Sequence, residues 1–154
     1  MKAGTITETT LLVIGYGNTL RSDDAAGVLV AERITALALP GVRVLARPVL
    51  TPELAVDLAH SVTAVFVDAT ADKTRDLVRV WLAPDDNIPV STHATDPRAL
   101  LALARELYGH APGAWLLKVP ATNFDHGERL SEPTQRGIDA AVGYIRSQAV
   151  TRDS

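Results

Sequence analysis

The chain has 154 residues, of which 47% are hydrophobic and 21% are charged. This length predicts one domain with a single core, and the composition excludes disordered and fibrous proteins. The formal net charge of −3, without any block of Lys or Arg, excludes the basic surface of a nucleic-acid-binding protein.

Cysteine is absent, which excludes disulfides, a thiolate metal site and a cysteine nucleophile. The first ten residues are polar and lack the apolar stretch of a signal peptide, and no apolar run approaches the roughly 18 residues of a membrane span. We therefore expect a cytoplasmic monomer with no membrane partner. Residues 1–10 are expected to form a polar extension, residues 11–148 the single domain and residues 149–154 a frayed tail.

Short apolar runs and helical repeats alternate along the chain. Strands are predicted at 11–14, 42–45, 64–67, 78–82 and 114–119. Helices are predicted from Ser22 or Asp23 to Leu37, from the N-cap Thr51, from Asp96 to Gly109, and from Ser131 to Ile145. This order predicts an α/β fold with three layers: a mostly parallel, twisted sheet of about five strands with helices on both faces.

Acidic residues and a histidine follow several of the predicted strands. Asp23 and Asp24 come after the first strand, Asp68 ends the central one, and His93 follows a later apolar residue. Because ligands of open parallel sheets bind outside the carboxyl ends of the strands, we expect these side chains to converge. Carboxylates with one imidazole suit Ni, Zn, Mn or Fe and leave positions open for an incoming ligand. Each aspartate also has a structural interpretation, as a turn or helix-cap residue.

A second loop offers an alternative metal site. His126 lies between Asp125 and Gly127, with Glu128 close by in the sequence. Histidine beside carboxylates can coordinate a metal, so this loop remains a rival to His93.

The glycines that follow the first strand do not predict a nucleotide site. Gly15 and Gly17 begin like a dinucleotide loop, but Leu20 occupies the position where that loop needs its third glycine. Asp23 and Asp24 would also repel a pyrophosphate at the start of the helix. The stretch therefore favours a cation, and the chain contains neither a Gly-x-Ser-x-Gly nor a His-Glu-x-x-His motif.

The stretch 15–27, GYGNTLRSDDAAG, resembles the opening motif of the hydrogenase maturation proteases. These endopeptidases remove a C-terminal extension from the large subunit of [NiFe] hydrogenases. The resemblance extends from Leu11 to about Ile145. It continues, in the same order, through the stretches 65–69, 91–93, 119–120 and 127–131.

The resemblance implies a metal site and a substrate. Asp24, Asp68 and His93 match the family residues that bind nickel or a substitute divalent metal, and they are also the catalytic candidates. In the family the nickel is carried by the immature large subunit, so the expected cofactor is nickel delivered by the substrate, and the expected partner is the [NiFe] hydrogenase large-subunit precursor. Of the two neighbouring aspartates, Asp23 is predicted to cap the helix and Asp24 to bind the metal.

The chain departs from the family pattern at two places. Ala25 stands where many members have glycine. The stretch 47–53, RPVLTPE, stands where many members have an aspartate and a Gly-Thr pair, and it leaves Glu53 as the candidate substitute for that aspartate.

These observations lead to three hypotheses. The first is a nickel-dependent processing endopeptidase. The second is a binding partner that checks the nickel of the precursor without cleaving it. The third is a dinucleotide-binding module, which the missing third glycine and the acidic pair argue against.

Overall fold

The structure, a computed structural model, describes residues 9–88 and 96–153, with side chains up to residue 149. His93 lies outside the described residues. The strands are β1 (Thr9–Tyr16), β2 (Val42–Arg47), β3 (Ser61–Thr70), β4 (Val78–Leu82) and β5 (Gly113–Pro120). The helices are α1 (Ala26–Leu37), which follows a 3-10 turn at Ser22–Ala25, then α2 (Leu54–Ala59), α3 (Pro97–Tyr108) and α4 (Glu132–Asp153).

The strands form one sheet in the order β2-β1-β3-β5-β4. Every neighbouring pair is parallel except β4 with β5. Helices α1 and α4 pack on one face and helices α2 and α3 on the other, each over its own hydrophobic cluster. The predicted fold class is therefore confirmed. In the described part of the chain, no helix is long and apolar enough to cross a membrane.

The central strands are buried on both faces, which explains why their sequences are continuously apolar. Residues 11–14 of β1 and 64–67 of β3 are all 0% exposed. A strand covered by helices on both sides loses the alternation of apolar and polar residues that marks a strand facing water.

Several predicted elements have different bounds in the structure. The last helix, α4, continues to Asp153, eight residues past its predicted end at Ile145 and into the expected tail, and α1 begins at Ala26 after the 3-10 turn.

β3 continues past Asp68, because Ala69 and Thr70 still pair with β5, so Asp68 lies inside the strand rather than at its end. α2 begins at Leu54, three residues after Thr51, and no side chain caps it. Thr51 instead accepts a bond at its carbonyl from the Leu54 N–H, at 3.1 Å, within a turn.

Two glycines allow α1 to rest directly on the backbone of the sheet. A Cβ atom at Gly15 would lie 2.0 Å from the carbonyl oxygen of Gly27. A Cβ atom at Gly27 would lie 2.3 Å from the Val67 carbonyl oxygen and 2.5 Å from that of Tyr16. No side chain fits into this contact, which brings the start of α1 against the carboxyl ends of β1 and β3.

We expect Gly27→Ala to lower the free energy of unfolding by at least about 2 kcal/mol, because the added methyl group meets rigid backbone atoms. Gly143→Ala is the matched control: it makes the same change within α4, where an added Cβ has no atom within 4 Å apart from those of its own turn of helix. It should stabilise the protein by roughly 0.5–1 kcal/mol through helix propensity. Urea unfolding of both variants measures this, and equal midpoints would contradict the prediction.

Candidate functional site

The segment after β1, residues 17–25, is called the motif loop here, and it is folded tightly against its own end. Gly17 has a φ of 147°, and a Cβ there would lie 2.1 Å from the carbonyl oxygen of Asp24. The backbone N–H of Asn18 donates to Oδ2 of Asp24 at 2.9 Å. The Gly17 N–H donates to the carbonyl of Arg47 at 3.2 Å, which ties the loop to the end of β2. The carboxylate of Asp24 is therefore held in a fixed place.

Asp68 lies near Asp24 and is partly buried. Burial raises the pKa of the Asp68 carboxyl to about 6; the hydrogen bond from the Ala69 N–H opposes this shift, and repulsion by Asp24 adds to it. The Ala69 bond measures 2.8 Å to Oδ1. Two carboxylates that repel each other in a partly dehydrated place favour the binding of a proton or a cation.

Tyr16 contacts the same carboxylate from the end of β1. Its side chain is 9% exposed. Burial raises the pKa of the phenol, as do the charge of Asp68 and the hydrogen bond that the hydroxyl donates to it. Tyr16 is therefore a neutral donor that orients Asp68. Sequence reasoning missed this role, although Tyr16 stands between the two glycines of the motif and the pairing of Gly15 with Val67 places it beside Asp68.

A cavity of about 390 Å³ opens beside Asp68. Its charged and aromatic lining residues are Tyr16, Asp68, Trp81, Asp96, Arg98 and Lys118. Asp96 accepts hydrogen bonds from the backbone and side chain of Arg98, so its charge is already neutralised. The cavity leaves room for a substrate chain next to the Asp68 carboxylate.

Asp23 does not cap the helix, contrary to the prediction. Its side chain is 0% exposed and accepts four hydrogen bonds from residues 122–131, a segment called the tether loop here. The donors are the backbone N–H groups of Thr122, Asn123 and Ser131, each at 2.8 Å, and the Ser131 hydroxyl at 2.6 Å. Burial acts to raise the pKa of Asp23, but the bonds from Ser131, Asn123 and Thr122 together hold it below its ordinary value. Asp23 therefore has a structural role: its hydrogen bonds hold the tether loop against the motif loop.

The tether loop is joined to the motif loop at further points. The Ser22 N–H donates to the Gly127 carbonyl at 2.8 Å, and the Ser22 hydroxyl donates to the Asp125 carbonyl at 2.7 Å. The Gly127 N–H returns a bond to the Leu20 carbonyl at 2.7 Å. These bonds hold Ser22 at a φ of 50°, a left-handed conformation that is costly for a residue with a side chain.

The described residues do not contain a complete metal site. No group of three or more His, Asp or Glu side chains within 9–88 and 96–149 is close enough to hold a metal ion. The structure brings Asp24 and Asp68 together, and His93 lies outside the described residues. The rival residues Asp125, His126 and Glu128 are exposed, and Glu53 is exposed just before α2.

We expect Asp23→Asn to destabilise the protein by about 2–3 kcal/mol, because an amide replaces one oxygen that accepts hydrogen bonds with an N–H₂ donor facing other donors. The wild-type contribution requires the ionised carboxyl. It is therefore complete above the unfolded-state pKa of about 4 and is lost as the pH falls through the lower folded-state value.

Urea unfolding between pH 7 and pH 3 measures this effect, and the deficit of Asp23→Asn should shrink as the solution becomes acidic. Asp125→Asn is the matched control, since it makes the same change on an exposed carboxyl of the tether loop. A deficit that does not change with pH would contradict the prediction.

The raised pKa of Asp68 predicts the opposite behaviour for Asp68→Asn. A carboxyl whose folded-state pKa is about 6 stabilises the fold below its ordinary pKa of 3.8 and loses that contribution as the pH rises through about 6. In metal-free buffer, Asp68→Asn should therefore gain stability relative to wild type between these values, by on the order of 1 kcal/mol above pH 6. Thermal unfolding across this range tests it against Asp76→Asn, an exposed carboxyl after β3. A constant difference between variant and wild type would refute it.

Comparison with known proteins identifies the fold. No protein-family model and no curated protein matches the sequence. Among solved structures, the chain is similar to the [NiFe] hydrogenase maturation protease HycI from Thermococcus kodakarensis, with 25% identity, a TM-score of 0.68, and 99% of this chain and 96% of that one covered.

Two further structures agree. The hydrogenase 2 maturation peptidase from a Thaumarchaeota archaeon has 24% identity, a TM-score of 0.65, and covers 90% of this chain and 97% of its own. The hydrogenase maturating endopeptidase HybD from E. coli has 22% identity, a TM-score of 0.67, and covers 90% and 91%. The chain therefore has the fold of structures named as [NiFe] hydrogenase maturation proteases along its whole length, and its motif residues resemble those of that family.

Proposed function

We propose that this protein is an endopeptidase that removes the C-terminal extension of a [NiFe] hydrogenase large-subunit precursor once nickel has been inserted. The observation that carries the proposal is the pair of carboxylates, Asp24 and Asp68, at the carboxyl edge of β1 and β3 in a chain with the fold of such proteases. The cavity beside Asp68 supplies space for the precursor chain.

The donor chemistry of this edge fits a nickel ion carried by the substrate. Asp24 and Asp68 would contribute oxygen ligands and His93 an imidazole nitrogen, a set that nickel accepts and that other divalent metals could also occupy. Burial is the main cause of the raised pKa of Asp68, and repulsion by Asp24 adds to it; a cation between the two carboxylates would remove this repulsion. Nickel would supply Lewis-acid polarisation of the group that it contacts.

The residues of this chain would orient and hold the site. The Asn18 N–H fixes Asp24, and the Tyr16 hydroxyl and Ala69 N–H fix Asp68, each before the substrate arrives. Asp23 bonds to the tether loop, and these bonds hold the motif loop in its conformation. Such prior positioning reduces the reorganisation that binding and cleavage would otherwise require.

The test is to mix the purified protein with nickel-loaded precursor and to measure the mass of the large subunit. We expect a shortened product, and we expect Asp24→Asn, Asp68→Asn and His93→Ala each to slow its appearance by more than ~100-fold, since each removes a ligand. Asp125→Asn and His126→Ala alter exposed residues of the tether loop, and these variants should cleave the precursor at the wild-type rate.

Nickel-free precursor should remain uncut. Cleavage that survives the substitutions at Asp24 and His93 would overturn the proposed roles of these residues. Stable co-purification with nickel-loaded precursor without shortening would instead indicate a protein that checks the nickel and does not cleave.

A further inference from the structure

A groove of about 350 Å³ lies between the motif loop and the end of β2. Leu20, Val28 and Pro48 supply apolar walls, and Arg47 supplies a guanidinium group. The groove shares no lining residue with the cavity beside Asp68.

The sheet order places Asp24 and Asp68 between the groove and the cavity. β2 lies on one side of β1, while β3, β5 and β4 lie on the other. Asn18 lines the groove and donates to Asp24, and Asp68 lines the cavity. An extended chain that crosses the two carboxylates therefore has one flank in the cavity and the other in the groove.

The groove and its rim combine exposed aliphatic side chains with a guanidinium group that forms no ion pair among the described residues. Leu20 is 57% exposed, and Val49, which follows Pro48, is 56% exposed. One N–H of the Arg47 guanidinium donates to the Ala46 carbonyl at 2.9 Å. No ion pair joins Arg47 to an acidic residue in the described part of the chain. Its remaining donors are arranged to receive a carboxylate.

We propose that this groove binds the segment of the precursor that flanks the scissile bond, with an aliphatic side chain against Leu20 and Pro48 and an aspartate or glutamate on Arg47. The inference rests on the proposed function and specifies the sequence class that the site selects. Two strand spacings, roughly 10 Å, separate β2 from β3, and an extended chain rises about 3.3 Å per residue. The acidic residue is therefore about three positions from the residue that lies over Asp68.

Binding can be tested without nickel and without cleavage. The probe is the blocked peptide acetyl-Ser-Gly-Leu-Glu-Gly-Ser-amide, titrated into ¹⁵N-labelled protein and followed by NMR. Companion peptides carry Lys in place of Glu, or Ser in place of Leu. We expect shifts at the amides of Gly17, Leu20 and Ala46, and about tenfold weaker binding of the Lys peptide.

Charge reversal provides the matched variants. Arg47→Glu should prefer the Lys peptide over the Glu peptide, and Arg47→Gln should bind the two about equally. Arg146→Glu makes the same change at an exposed position of α4 and should keep the wild-type preference. Because the Arg47 side chain is not buried, these substitutions leave the bond from Gly17 to the Arg47 carbonyl in place.

Equal binding of the Glu and Lys peptides to wild type would overturn the inference, as would shifts that lie away from the groove. A further peptide carries Gln in place of Glu and has a free C-terminal carboxylate. If it binds more tightly than the blocked Glu peptide, Arg47 binds a C-terminal carboxylate and the inference is overturned. Since neither nickel nor cleavage enters this measurement, a precursor that stays uncut would contradict the proposed function and leave the peptide preference unaffected.

Discussion

The contact of α1 with the backbone of β1 and β3 fixes the geometry on which the candidate site depends. Gly15 and Gly27 meet so closely that neither position has space for a Cβ atom. The motif loop must therefore close within the few residues that separate β1 from α1. Its end then carries Asp24 to the side of Asp68, a residue of a different strand.

Three aspartates with the same intrinsic chemistry have different tasks because their surroundings differ. Asp23 is buried but receives four hydrogen bonds, so its charge is stabilised and serves the structure. Asp68 is dehydrated and faces another carboxylate, so its charge is costly and a cation can relieve it. The carboxylate of Asp24 accepts a hydrogen bond from the Asn18 N–H, and this bond fixes the position of the carboxylate. Burial by itself does not distinguish a structural carboxylate from a candidate ligand; the donors around it do.

The tether loop shows how residues far along the sequence complete the first motif. Ser22 and Asp23 bond to residues 122–131, about a hundred positions later in the chain. These bonds stabilise the left-handed Ser22 and hold the start of α4 next to the site. The likeness of residues 127–131 to the family motif thus has a physical basis, since that segment supports the shape of the motif loop.

The sequence by itself determined the fold class and most of the elements, because strands buried on both faces and helices bounded by Asp96-Pro97 and Gly109 leave local patterns. The rule for the carboxyl ends of parallel strands also predicted that Asp23, Asp24, Asp68 and His93 converge. Asp24 and Asp68 lie near each other, whereas Asp23 bonds to the tether loop and His93 lies outside the described residues. The extension of β3 past Asp68, the bonds of Asp23 to the tether loop and the role of Tyr16 were decided by the tertiary structure. Each depends on a partner from a distant part of the chain, and a local pattern contains no information about such a partner.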